Sequence, residues 1–90
     1  MAHNEIVFSF ASTQHAIQAE QCLLSALFPV SVIPLPASIK AGCGIALRLP
    51  LEMYEQAYAL LQSSNIFPLT LHIRSVDGGG LSAYTQMEGK

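Results

Sequence analysis

The stretch Lys40-Ala41-Gly42-Cys43-Gly44-Ile45-Ala46-Leu47-Arg48 holds the residues whose types and spacing could do chemistry. Glycine on both sides leaves Cys43 without side-chain cover from its neighbours and lets another group approach the backbone. No acidic residue occurs from position 21 to 51, while Lys40 and Arg48 supply two positive charges close to the thiol in sequence. Positive charge and free main-chain amides favour thiolate over thiol, and the thiolate is the nucleophile. Amides near Gly44 that point at the sulfur would also steady a negative sulfur or selenium atom carried on it. Such surroundings suit an acceptor of sulfur as a persulfide, a redox-sensing thiol, or a point of covalent attachment. They also fit an inert thiol opening a strand, because free cysteine is among the most buried residue types.

The remaining reactive side chains add little to Cys43. An enzyme of the cysteine–histidine type needs an imidazole that reaches the sulfur. His15 opens the first helix and His72 lies on the fourth strand, and pattern alone places neither beside the loop. A carrier or binding protein is therefore expected rather than an independent catalyst. Cys22 falls near the buried stripe of the first helix and reads as a packed, unreactive thiol. No two Cys, His or acidic residues stand at ligand spacing, so no metal is expected. Phosphate-loop and dinucleotide fingerprints are absent, because Gly78-Gly79-Gly80 has no helix behind it, and no cofactor is expected.

Composition narrows the partners. The chain of 90 residues suffices for one domain, and 51% apolar residues supply an ample core. Four basic against six acidic residues give a formal charge of −2, which offers no polybasic surface to nucleic acid or anionic lipid. No apolar run approaches a membrane span, and no basic segment leads into an apolar stretch at the start. A cytoplasmic protein with reduced thiols is the expectation, and a disulfide between Cys22 and Cys43 is disfavoured on the same ground.

Six elements must position these groups. Residues 5–10 alternate Ile6, Phe8 and Phe10 onto one face of a first strand. Ser12 or Thr13 offers a cap to a helix over 13–27, whose apolar stripe is Ala16, Ala19, Leu23, Ala26 and Leu27, with Pro29 as its stop. A short strand over 30–33 precedes the rigid Pro34 and Pro36, and a third strand over 45–49 turns Ile45, Leu47 and Leu49 inward. Pro50 leads into a second helix with Glu52 and Glu55 near its start and Met53, Ala57, Leu60 and Leu61 buried. Tyr54 and Tyr58, four apart, should pack on each other. The last strand spans 67–73, and Pro68 suggests an edge. The order β-α-β-β-α-β predicts an α+β, two-layer ferredoxin-like sandwich, with a four-stranded antiparallel sheet and two helices on one face. The first and third strands should be central. Residues 1–76 form this single domain, and 77–90 read as a glycine-rich, flexible C-terminal tail whose Tyr84 and Met87 could dock on a neighbour.

The same alternation assigns Val7, Ser9, Ser31, Ile33, Ala46, Arg48, Thr70, His72 and Arg74 to the other face. Ser9, His72 and Arg74, with Arg48, are candidate binding residues on this half-polar surface. It could take an anionic ligand, stack on a second copy as a homodimer, or face water, as antiparallel sheets commonly do.

Taken as whole segments, "IVFSFASTQHAIQAEQCL" and "IPLPASIKAGCGIALRLP" resemble the family of short bacterial proteins described as selenium/sulfur carrier protein-like. The likeness covers about residues 5 to 73. It rests on Ser12, Thr13, His15, Ala16 and Glu20, on Pro34 and Pro36, and most specifically on Cys43, Gly44, Ala46 and Arg48. The glycine-rich tail and Cys22 sit outside its usual pattern. The resemblance implies a carrier that holds sulfur or selenium on Cys43 and passes it between donor and acceptor proteins. Lys40, Gly42, Gly44, Arg48 and His15 are then supporting residues, His15 only if the helix start lies near the loop. The competing reading is a ligand-sensing or homodimerising module of the same fold that makes no use of the thiol.

Overall fold

Alternation in the first strand decides which way the sheet faces. Ile6, Phe8 and Phe10 are fully buried beneath the helices, and Glu5, Val7 and Ser9 point to the opposite side. The computed structural model describes residues 3–35, 43–76 and 82–86. Strand β1 (His3–Ser9) leads through Ser12 into helix α1 (Thr13–Ser25), and β2 (Ser31–Pro34) and β3 (Ile45–Pro50) follow. A short 3-10 turn (Leu51–Met53) opens helix α2 (Tyr54–Ser63), after which come β4 (Thr70–Val76) and β5 (Ser82–Gln86). The strands lie in the order β2-β3-β1-β4-β5, and every neighbouring pair is antiparallel. The first six elements form the α+β sandwich that the apolar periodicities predict, with β1 and β3 interior.

Register and burial agree along this framework. Ile6 pairs with Leu49 on one side and Ile73 on the other, and Phe8 pairs with Leu47 and Leu71. These side chains meet the buried stripe Ala16, Ala19 and Leu23 of α1 and Ala57 and Leu61 of α2. Alanine at two of the three α1 positions lets that helix approach β3 closely. Replacing Phe8 with alanine would empty the centre of this layer at about 3–5 kcal/mol. Tyr54 and Tyr58 stack with centroids 5.7 Å apart and planes at 21°, as their four-residue spacing requires.

Two expectations about the strands are corrected, and one about α1: it ends at Ser25, and Ala26 and Leu27, read as part of its buried stripe, are exposed. The segment read as a loose tail contributes a strand, because Ser82–Gln86 pairs with β4 from Val76↔Ser82 to His72↔Gln86. An exposed β4 edge offers unpaired amides and carbonyls, and a chain that reverses after it can satisfy them with no apolar pattern of its own. Residues 77–81 and 87–90, Met87 among them, lie outside the described residues. The second correction concerns the fourth strand, which begins at Thr70 rather than 67 and is interior, not an edge. Pro68 precedes it.

Both helices end the same way. In α1, the Phe28 and Leu27 amides donate to the Leu23 and Leu24 carbonyls at 3.0 and 2.9 Å. In α2, those of Ile66 and Asn65 donate to Leu61 and Gln62 at 2.9 and 3.0 Å. Each is a left-handed helix stop that folds the next apolar residue, Phe28 or Ile66, against the core. The left-handed residues are Leu27 (φ 68) and Asn65 (φ 59). Asparagine tolerates that conformation, whereas leucine is strained in it, and Leu27 is 91% exposed with little packing in return. Leu27→Gly should therefore stabilise the domain by about 0.5–1 kcal/mol, the relieved strain less the added chain entropy of glycine. A rise in the urea midpoint checks this, and a fall would show that the leucine contributes packing.

Candidate functional site

Cys43 and Gly44 run directly into β3. Because β3 is antiparallel to β1 with Ser9 opposite Ala46, the start of β3 lies beside the end of β1, from which α1 begins. The thiol and the N-terminus of α1 therefore share one end of the sheet. Cys43 is a free, half-buried cysteine packed against the helix-side core. Its S–H donates to the Ile45 carbonyl at 3.7 Å, which directs the sulfur along the strand. Gly44 holds φ +93, and a side chain there would meet nothing within 4 Å. The sulfur is thus held against the core, and the space beside Gly44 is open.

The supporting residues separate into two ends and two faces. Lys40 and Gly42 lie outside the described residues. His15 is at the same end as Cys43, in the first turn of α1, where its backbone amide donates to the capping Ser12 hydroxyl at 3.1 Å. Its exposed side chain lines a shallow hollow with Ala11, Asn65, Phe67, Pro68 and Leu69. Arg48 is on the far face. It lies five residues along β3 from Cys43, about 17 Å, and its charge meets Glu5 rather than the thiol. Cys22 is nine residues into α1, about 13 Å along its axis from the end that carries Cys43, with Sγ 3.5 Å from the Ser64 hydroxyl. That separation excludes a disulfide between the two cysteines in this fold. Among the described residues no three His, Cys, Asp or Glu side chains gather as a metal site.

On the sheet face away from the helices, β1 lies between two arginines. The Glu5 carboxylate is ion-paired with Arg48 Nε at 3.3 Å and accepts a hydrogen bond from Arg74 Nη1 at 2.5 Å, which ties β3, β1 and β4 together. Four residues further along β1, the Ser9 and Thr70 hydroxyls, directly opposite each other, are hydrogen-bonded. Ser9, His72 and Arg74 do share this face with Arg48. The face is not an ordinary wetted one, since Val7, Ser9 and Ala46 are fully buried and His72 is only 8% exposed. Nδ1 of His72 is buried without a hydrogen-bond partner. Sequence reading left out Glu5, yet the signal was there: it has the parity of Val7 and Ser9, and a central β1 must set it against Arg48 and Arg74.

Burial holds the pKa of His72 below its ordinary 6.5. The unfolded chain therefore binds a proton near pH 6.5 that the folded one resists. Stability is full above that value and is lost as pH falls below it. A urea midpoint that drops between about pH 7 and 5.5, and drops less in His72→Gln, is the expected result. Gly44→Ala should cost about 1 kcal/mol through its backbone conformation alone, with no steric clash, as chemical denaturation would show.

Comparison with known families matches residues 5–73 to the family described as "Putative Se/S carrier protein-like". Comparison with curated proteins and with solved structures finds no match. The matched span runs from the glutamate that bridges β3 and β4 through Cys43 and both helices to the middle of β4. The chain belongs to the Se/S carrier protein-like family.

Proposed function

We propose that this domain carries sulfur or selenium on Cys43. The observation that supports it most is the placement of the cysteine. Within the span that matches the carrier-like family, a free thiol opens β3 with the core behind it and clear space beside Gly44. Loading is a thiol–persulfide exchange. The Cys43 thiolate attacks the terminal sulfur of a donor persulfide, a new S–S bond forms, the donor's S–S bond breaks, and the donor leaves as its thiolate. The transferred sulfur keeps its proton, and no external oxidant or reductant is required. Half-burial shields the resulting persulfide without enclosing it. Release to an acceptor thiolate is the same exchange in reverse.

His15 is the ionisable side chain described at this end of the sheet, and it suits proton traffic on a partner's leaving thiolate. Arg48 acts through the fold, by holding β3 against β1 through Glu5. A second reading, a ligand-sensing or homodimerising module, is favoured by the unpartnered, buried Nδ1 of His72 beside the Glu5–arginine cluster. It predicts indifference to loss of the thiol and sensitivity at Ser9, Arg48 and His72.

Incubation with inorganic polysulfide carrying labelled sulfur separates the two. Cys43→Ala should abolish incorporation and leave the melting temperature within a few degrees, while Cys22→Ala incorporates label as the native chain does. Label that follows Cys22, or a native chain that takes none, contradicts the carrier reading.

A further inference from the structure

We infer that the sheet face away from the helices binds a small oxyanion that keeps a hydroxyl, of the hydrogen phosphate kind, between Arg48 and His72. This site lies on the opposite face of the sheet from Cys43 and stands apart from the carrier reading.

Register sets the two side chains on either side of one residue. Val7 pairs with Arg48 on β3 and with His72 on β4, so both share its face and flank it. Val7 is fully buried, and so are Ala46 and Ser9, which pair with each other in the next row of the same face. These short side chains make a floor, and Arg48 and His72 are its walls. Two strand spacings, about 10 Å, separate the two backbones. An oxyanion with a hydrogen bond of about 2.8 Å at each end fills that gap once both side chains lean inward.

The walls offer opposite halves of a hydrogen bond. Glu5 takes its hydrogen bond from Arg74 at 2.5 Å, while Arg48 meets it only as an ion pair through Nε at 3.3 Å. Among the described residues no hydrogen bond engages the Arg48 guanidinium, whose side chain is 34% exposed. Its planar fork of N–H groups can therefore grip anionic oxygens. His72 is 8% exposed, and its Nδ1 is buried without a hydrogen-bond partner. Burial keeps the ring neutral near pH 7. A neutral imidazole carries its proton on one nitrogen only, and a buried N–H without an acceptor is the rarer defect. The proton therefore sits on Nε2, and the lone pair of Nδ1 is left for a donor. An anion without a proton satisfies Arg48 alone, and a neutral alcohol satisfies His72 alone. An oxyanion that keeps a hydroxyl satisfies both, over a buried floor that strengthens each bond.

The test titrates the full chain with inorganic phosphate and with sulfate. The two anions share a shape, and near neutral pH only phosphate has a proton to donate. Phosphate should bind about tenfold tighter than sulfate, as one hydrogen bond to a buried acceptor predicts. It should also shift the nitrogen-15 resonance of His72 Nδ1 by more than sulfate does. These two comparisons use the native chain, so they hold even where a variant fails to fold. His72→Phe should bring phosphate down to the affinity of sulfate, and Arg48→Gln should weaken both by about tenfold or more. Four results would overturn the inference: no saturable binding of phosphate, equal affinities for the two anions, phosphate binding that leaves His72 Nδ1 unshifted, or a phosphate preference that survives His72→Phe.

Discussion

β1 is hydrogen-bonded along both edges, to β3 from Glu5↔Pro50 to Ser9↔Ala46 and to β4 from His3↔Val76 to Ser9↔Thr70. This double pairing is the constraint on which the rest depends. A slip of one residue would turn Ile6, Phe8 and Phe10 out of the core and bring Glu5, Val7 and Ser9 into it, so the register is held by the hydrophobic layer on one face. On the other face it is held by Glu5, whose carboxylate meets an arginine from each neighbouring strand. Loss of that carboxylate would leave two half-buried cations side by side, so its role is to make one register cheaper than its alternatives rather than to add a large increment of stability.

The position of the thiol follows from this register. With Ser9 opposite Ala46, the residue three places earlier on β3 must lie past the end of β1, where the chain turns into α1. Its packing against the core puts Cys43 on the helix side, and the parity of β3 puts Arg48 on the opposite face. The glycine after the cysteine is needed for its positive φ, and the space beside it is open. The core, the sheet and the turn together present one sulfur at one end of the molecule, while the acidic side chains of the described residues stand elsewhere. On the proposed reading, that separation keeps the described carboxylates away from the reacting thiolate.

Much of this was legible in the residues and some was not. The order of the six elements, the inward and outward faces of β1 and β3, a helix cap at Ser12 or Thr13 and the tyrosine pair all follow from short-range periodicity, which local sterics enforce. The fifth strand was not legible, because an edge strand held by its backbone ladder carries no apolar alternation, and the run of glycines before it reads as flexibility. The start of β4 was misplaced because Phe67 and Leu69 continue the alternation of a strand, yet they lie before it and are exposed. Proximity in sequence suggested Arg48 as a partner for Cys43, whereas pleating put them on opposite faces. The hollow at the thiol end joins residues more than fifty positions apart, which only the fold brings together.

The central claim is that Cys43 carries a chalcogen rather than merely reacting with one, and transfer onward tests it most directly. The chain is loaded with labelled sulfur, freed of donor by gel filtration, and mixed with an excess of a small acceptor thiol while intact mass is followed. The account predicts that the label sits on Cys43, survives the column, and then leaves to the acceptor with recovery of the original thiol. Label that is lost on the column, sits on Cys22, or stays on Cys43 when an acceptor is supplied would contradict it.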